Sequence, residues 1–202
     1  DLFTGLYSTV AILAALRERD HTGRGAHIDM ALLDSQVSVL ANQALNWMVS
    51  GKVPHRMGNG HANLVPYQAF KVAEGEVIVA VGNDRQFERL CVILELEELA
   101  ADQRFRTNPA RVVNRAELIP ILAEAMLSRS RAEFSEALEA AGIPAGPINP
   151  VDAVFADPQV VARGLQLDLP GLASPIVIDG TRQVAERGSP RLGEDQATFR
   201  TR

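Results

Sequence analysis

The run Tyr67-Gln68-Ala69-Phe70-Lys71-Val72-Ala73-Glu74-Gly75-Glu76-Val77-Ile78-Val79-Ala80-Val81 reads as two strands joined by a two-residue turn. Tyr67 to Ala73 and Glu76 to Val81 are strand-like, and Glu74-Gly75 is the turn between them. The residues that follow read as helices. Asn83 with Gln86 three positions later resembles a capping box, opening a helix that turns Phe87, Leu90, Cys91 and Leu94 inward. Asn114 with Glu117, and Ser130 with Glu133, mark two further starts. Pro120 should kink the first of these helices or define its start, and Gly142 should close the second as the residue after its C-cap.

Outward toward the N-terminus, Gly51 to Ala62 is rich in Gly and His without hydrophobic periodicity, as in a linker and an exposed loop. Before it, Leu2 to Arg19 is helical, with Phe3, Leu6, Val10 and Leu13 on one face. A turn follows at His21-Thr22-Gly23-Arg24-Gly25. Ala26, Ile28, Met30 and Leu32 then alternate as a short strand. A second helix runs from about Asp34, with Val37, Leu40, Ala41, Ala44 and Trp47 on one stripe. Helix, strand, helix is a piece of a layered α/β unit. Outward toward the C-terminus the chain turns Pro- and Gly-rich at Ile143. Asn149-Pro150 and Asp157-Pro158 each read as an N-cap followed by Pro at the first helical position. Leu165, Leu167 and Leu169 alternate like an edge strand, Ile176 to Ile178 reads as another, and the sequence from Gln183 is polar and irregular.

Composition bounds the function. The 202 residues carry 20 Lys+Arg against 25 Asp+Glu, a net charge of -5, which removes the electrostatic reason to expect nucleic acid as partner. A single Cys excludes a disulfide framework and a cysteine zinc site. His21, His27, His55 and His61 form no pair at ligand spacing, so no metal is expected. No apolar run approaches the roughly 20 residues of a membrane span.

Two features carry chemistry. Asp1 heads an apolar helix in Asp1-Leu2-Phe3-Thr4-Gly5, where unpaired N–H groups and the helix dipole favour a charged carboxylate. Such a group is what acyl transfer through an anhydride requires, and it is also an ordinary helix cap. Arg56-Met57-Gly58-Asn59-Gly60-His61 is the second feature: two glycines flanking Asn open backbone N–H groups to a ligand and let the loop move. It also reads as a plain flexible turn.

Taken with Ala14-Ala15-Leu16 and Thr22-Gly23-Arg24-Gly25-Ala26-His27-Ile28-Asp29, the opening run resembles the family III CoA-transferases, the group of formyl-CoA and carnitine CoA-transferases and α-methylacyl-CoA racemase. Further matches keep the family order: Gly58-Asn59-Gly60-His61, Val65-Pro66-Tyr67-Gln68, Gly82-Asn83-Asp84-Arg85-Gln86-Phe87, Asn108 with Arg111, Gly142-Ile143-Pro144-Ala145-Gly146-Pro147, Asp157-Pro158-Gln159 and Pro190-Arg191-Leu192-Gly193-Glu194. Each piece is short, and their order across the chain makes the match specific.

The resemblance implies that Asp1 is the catalytic aspartate, passing through aspartyl anhydride and aspartyl-CoA thioester intermediates. It implies that Gly58, Asn59, Gly60 and His61 form the substrate- and CoA-binding loop that covers the site, with a CoA thioester as substrate and no tightly bound cofactor. It implies an α/β fold with a small α+β domain, the C-terminal part of an interlocked homodimeric enzyme. Residues 1–50 would end the large Rossmann-like domain, 51–150 would be the linker and small domain, and 151–202 a tail returning to the large one. This stretch alone is expected to bind CoA poorly and to turn over little, and the enzyme to be cytoplasmic. A 2-methylacyl-CoA racemase is the rival activity, and a non-catalytic oligomerisation fragment a further one. Arg56, Arg85 and Arg111 stay outside the site, since arginines at a surface are ordinarily just solvated.

Overall fold

The computed structural model describes residues 1–167, 171–184 and 187–196. Helix α1 spans Leu2–Thr22, α2 Leu32–Ser38 and α3 Ala41–Ser50. Strands β1 (Tyr67–Val72) and β2 (Gly75–Ala80) follow, then α4 (Asp84–Leu94), α5 (Glu97–Ala101), α6 (Asn108–Val113), α7 (Arg115–Met126) and α8 (Arg131–Ala140). After them come β3 (Ala145–Pro147), α9 (Val151–Ala156), α10 (Pro158–Ala162), β4 (Val177–Ile178) and β5 (Thr181–Arg182).

The hairpin organises the packed part. β1 and β2 pair antiparallel with Phe70 opposite Val77 and Val72 opposite Gly75, so the turn is Ala73-Glu74, one position earlier than expected. Gly75 sits at φ 112°, a conformation that side chains rarely adopt, and so opens the second strand instead of belonging to the turn. β3 adds antiparallel to β2, giving the order β1-β2-β3. Period-two alternation sends Phe70, Val72, Val77 and Val79 to one face, where Phe87, Leu90 and Cys91 of α4, Leu118 and Leu122 of α7, and Leu138 of α8 join them in a single core. Each such side chain contributes about 1.5–3 kcal/mol by leaving water.

The helix starts were largely legible, but their caps differ in kind. Asn83 Oδ1 accepts from the Gln86 amide at 3.0 Å, and Gln86 Oε1 accepts in return from the Gly82 amide at 2.8 Å, one residue before the cap. Asn114 does precede α7, but its amide turns back to donate to the Arg104 and Ala110 carbonyls and does not cap. Ser130 makes no cap bond either; the Arg131 amide donates to Glu74 Oε2 at 2.9 Å, a carboxylate supplied by the hairpin turn. Pro120 lies inside α7, which runs on through it. Gly142, at φ 66°, follows the end of α8 as expected.

The N-terminal part departs from expectation. Residues 26–31 are without regular structure and pair with no strand among the described residues. Alternation alone cannot make a strand: its N–H and C=O groups need a neighbouring ladder, and the described residues supply none. The long helix expected from Asp34 begins earlier and is broken between Ser38 and Ala41, where Ala41 takes φ 46°. Near the other end, Pro150 stands at the N-cap position of α9 without a side-chain cap bond, where Asn149 was expected. Asp157 Oδ1 caps α10 as expected, accepting from the Gln159 and Val160 amides. Ile176–Ile178 yields β4, paired with β5. The expected strand at Leu165, Leu167 and Leu169 is reduced to one bridge between Gln166 and Leu172, and Leu169 lies outside the described residues.

Candidate active site

Asp1 is the N-cap residue of α1, but its carboxylate accepts no cap hydrogen bond. The first turn is held by the Gly5 amide donating to the Asp1 carbonyl at 2.8 Å. The carboxylate is therefore exposed and uncommitted. Asp1, Phe3 and Thr4 face Leu32, Ser35 and Val39 across an open cavity of about 410 Å³.

The glycine loop is built from the other side. Met57 to Gly60 is a turn closed by the Gly60 amide on the Met57 carbonyl, with Gly58 at φ 62°. Asn59 Oδ1 accepts from the Ala69 amide, fastening the turn to the outer edge of β1. The His61 amide donates to the Tyr67 carbonyl, and its ring stacks on Tyr67 with centroids 5.1 Å apart. His61 Nδ1 accepts from the Asn63 and Leu64 amides, both at 3.1 Å, so the neutral ring carries its proton on Nε2. The Gly60 and His61 amides are thus engaged internally, so at these two positions the backbone N–H groups are not open to a ligand as the sequence reading expected.

Arg115, Arg111, Asp84 and Asn108 hold this loop and the segment after it, and of these Arg115 alone went unmentioned in the sequence reading. Arg115, the first residue of α7, donates through Nη2 to the His61 carbonyl at 2.8 Å and the Ala62 carbonyl at 3.0 Å. Burial pulls its pKa below the ordinary arginine value. Just beyond, Arg111 Nε donates to the Val65 carbonyl, Nη1 to the Phe105 carbonyl and Nη2 to Asp84 Oδ1 at 2.8 Å. Its guanidinium lies 4.4 Å from the Phe87 ring centre. Asp84 Oδ1 also accepts from the Asn108 amide, while Asn108 Oδ1 accepts from Val65 and its Nδ2 donates to Asn63. Arg111 is 0% exposed, so the expectation of a solvated surface arginine is wrong at that position. Arg56 and Arg85 are exposed. Asn108 with Arg111 was visible as a motif, but that it anchors the segment after the loop was not.

Asp1 and the loop line different cavities within this chain: the loop's neighbours are α3, residues 52–57 and α7. Asn63 Nδ2 approaches Asn46 Oδ1 at 3.4 Å, linking the loop segment to α3. Among the described residues no three His, Cys, Asp or Glu side chains converge as a metal-binding set. No helix among them is long and apolar enough to cross a membrane.

The sequence profile of CoA-transferase family III matches residues 1–196. The chain belongs to CoA-transferase family III. Within this family it is 48% identical over 98% of its length to the succinate–glutarate CoA-transferase of Agrobacterium fabrum, and 43% identical over 84% to the succinyl-CoA:glutarate CoA-transferase of Homo sapiens. It spans 51% of the first and 39% of the second, about half the length of the curated relatives it matches. Its fold is that of a CaiB/BaiF family protein from Brucella suis, with a TM-score of 0.80 and 50% identity over 98% of this chain and 53% of that one. The family III chain is thus a mixed helical structure with a small antiparallel sheet, as its resemblance implied.

Proposed function

We propose that this chain carries the nucleophile and the covering loop of an enzyme that moves coenzyme A from an acyl-CoA to a free carboxylic acid. The observation that carries the reading is the Asp1 carboxylate, left free of its cap role at the head of α1 beside an open cavity, in a family III chain. Short dicarboxylates such as succinate and glutarate are the acids we propose, a choice supported by the names of the two relatives.

An Asp1 oxygen attacks the acyl-CoA carbonyl carbon, the C–S bond breaks, and CoA departs as the thiolate, leaving a mixed anhydride. The thiolate attacks the Asp1 carbonyl, releasing the donor carboxylate and forming an aspartyl-CoA thioester. The acceptor carboxylate displaces the thiolate to give a second anhydride. The thiolate then attacks the acceptor's acyl carbon, forming the new thioester and restoring Asp1. Both anhydrides are destroyed by water, and the loop of Gly58, Asn59, Gly60 and His61 supplies the cover that excludes it. In the same reading residues 1–50 end a large domain, 51–150 form the linker and small domain, and the tail from 151 returns to the large one, within a cytoplasmic homodimer that needs no tightly bound cofactor.

The test is chemical. The full-length protein incubated with glutaryl-CoA and then hydroxylamine should carry a hydroxamate at Asp1, seen by peptide mass spectrometry, and Asp1→Asn should carry none and show no transfer. Label at another residue, or transfer that survives Asp1→Asn, overturns the reading. Exchange of the C2 hydrogen of a 2-methylacyl-CoA with no transfer would move the protein to the racemase activity.

A further inference from the structure

Residues 63–65, which follow the glycine loop, are fastened at almost every backbone group. The Val65 amide donates to Asn108 Oδ1 at 3.1 Å, and the Val65 carbonyl accepts from Arg111 Nε at 2.6 Å. Asn108 Nδ2 donates to the Asn63 carbonyl at 2.8 Å. Asp84 Oδ1 accepts from the Asn108 amide and from Arg111 Nη2, each at 2.8 Å, so one carboxylate oxygen ties the start of α4 to α6. The Asn63 and Leu64 amides both donate to His61 Nδ1 at 3.1 Å. The stretch is thus a strap, held by Asn108 and Arg111 on one side and holding the His61 ring on the other.

Arg111 is a costly way to fill this space. Its side chain is 0% exposed and packs on Phe87, so the guanidinium gives up its hydration. An apolar side chain of similar volume is commonly at least as stabilising in such a place. What it cannot do is hold three oxygens from three segments in fixed directions, as Arg111 holds the Val65 and Phe105 carbonyls and Asp84. The desolvation cost therefore marks an orienting role, and of the three oxygens only that of Val65 belongs to the strap.

We propose that Arg111 and Asn108 are positioning residues: by fixing residues 63–65 they hold the His61 ring in one orientation and one tautomer, and with it the shape of the glycine loop. Neither touches the reacting atoms. This rests on the reading of that loop as the cover over the anhydrides, and adds what keeps the cover in place. When the strap is loosened, His61 Nδ1 loses its two donors and the ring proton redistributes between the nitrogens. Water then reaches the anhydride and cleaves it to two carboxylic acids, leaving CoA as the free thiol.

Three quantities test this on the full-length protein: the ring-nitrogen NMR shifts of His61 in mildly alkaline buffer, the free CoA released per new thioester formed from glutaryl-CoA and succinate, and the urea midpoint. In the wild type Nδ1 should read as unprotonated and Nε2 as protonated. Asn108→Ala, which leaves every Arg111 bond in place, should draw the two shifts together and raise free CoA per thioester about tenfold. Arg111→Lys keeps the charge without the fork of donors and should act in the same direction. Asn108→Ala carries the test where Arg111→Lys fails to fold. Leu122→Ala, a core truncation that removes none of the strap's bonds, should lower the urea midpoint and leave the other two readings at wild-type values. Unchanged ring shifts in Asn108→Ala, or ring shifts that move with no rise in free CoA, overturn the proposal. So does a rise in Leu122→Ala equal to that in Asn108→Ala, since lost stability would then account for both. The hydroxylamine trap at Asp1 reads the transfer chemistry separately; where it finds no hydroxamate, the ring shifts still test the strap.

Discussion

Helices α1 and α4 are both rich in apolar residues, and they meet opposite fates. In α4 the stripe of Phe87, Leu90, Cys91 and Leu94 is buried to 3% exposure or less in the core it shares with the hairpin, α7 and α8. In α1 no residue is buried, and Leu2, Phe3, Leu6, Val10 and Leu13 are all more than half exposed. The difference lies in what each is given to pack on. The α4 stripe joins one core with the hairpin, α7 and α8, whereas among the described residues the element chiefly packed on α1 is the short α2. Apolar content states a demand for burial; only neighbouring elements satisfy it.

The contrast is open to a direct break. Phe87→Ala should cost about 3–5 kcal/mol in urea denaturation, because it removes a fully buried ring and the support under Arg111. Leu13→Ala should stay within about 0.5 kcal/mol. A cost of about 2 kcal/mol at Leu13 would show α1 buried in solution and dissolve the comparison. Arg111→Met should cost about 3 kcal/mol, since it strands the Val65 and Phe105 carbonyls and Asp84 at once.

Cys91 sharpens the same contrast through pH. Burial pushes its thiol up to about 12 from an ordinary value of 9.0. The folded chain therefore holds a proton that the unfolded chain releases as pH rises past 9, so this contribution to stability is complete below about 9 and is lost on the way to 12. Urea midpoints should fall across that window and fall less in Cys91→Ala; an identical pH slope in both would remove the thiol from the account. The caps give the smallest effects. Asn83→Ala should cost about 1 kcal/mol because α4 is part of the core. Asp157→Ala should fray α10 locally and leave the global midpoint within about 0.5 kcal/mol, since α10 buries nothing.

Features legible along the chain are those whose partners lie within a few residues. The Asn83 and Asp157 caps, the positive-φ Gly142 after α8 and the hairpin itself are of this kind. The turn was misplaced by one residue because Gly75 serves either position until the strand register is set. The α8 start was found at Ser130, yet its capping carboxylate is Glu74, 57 positions from the amide it accepts from. The strand expected from Ala26 to Leu32 failed for the complementary reason, since its alternation finds no ladder among the described residues.

The candidate site divides the same way. Asp1 and Gly58-Asn59-Gly60-His61 were named from composition, helix ends and motif order. Arg111 was judged from the general habit of arginine, and Arg115 was passed over, because nothing in local spacing tells which cations will be drawn under a loop more than 40 residues earlier in the chain.

By itself the sequence determined the family, the identity of the nucleophile candidate, the hairpin and the helix boundaries that rest on local caps. Short-range hydrogen bonds and residue periodicity write these into neighbouring positions. Tertiary structure alone decided that Arg111 is a buried strut, that Arg115 holds the His61 and Ala62 carbonyls, that Glu74 caps α8 and that α1 stays uncovered. Each of these depends on which distant groups exclude water from one another, and desolvation is a property of the assembled packing, not of any stretch of chain.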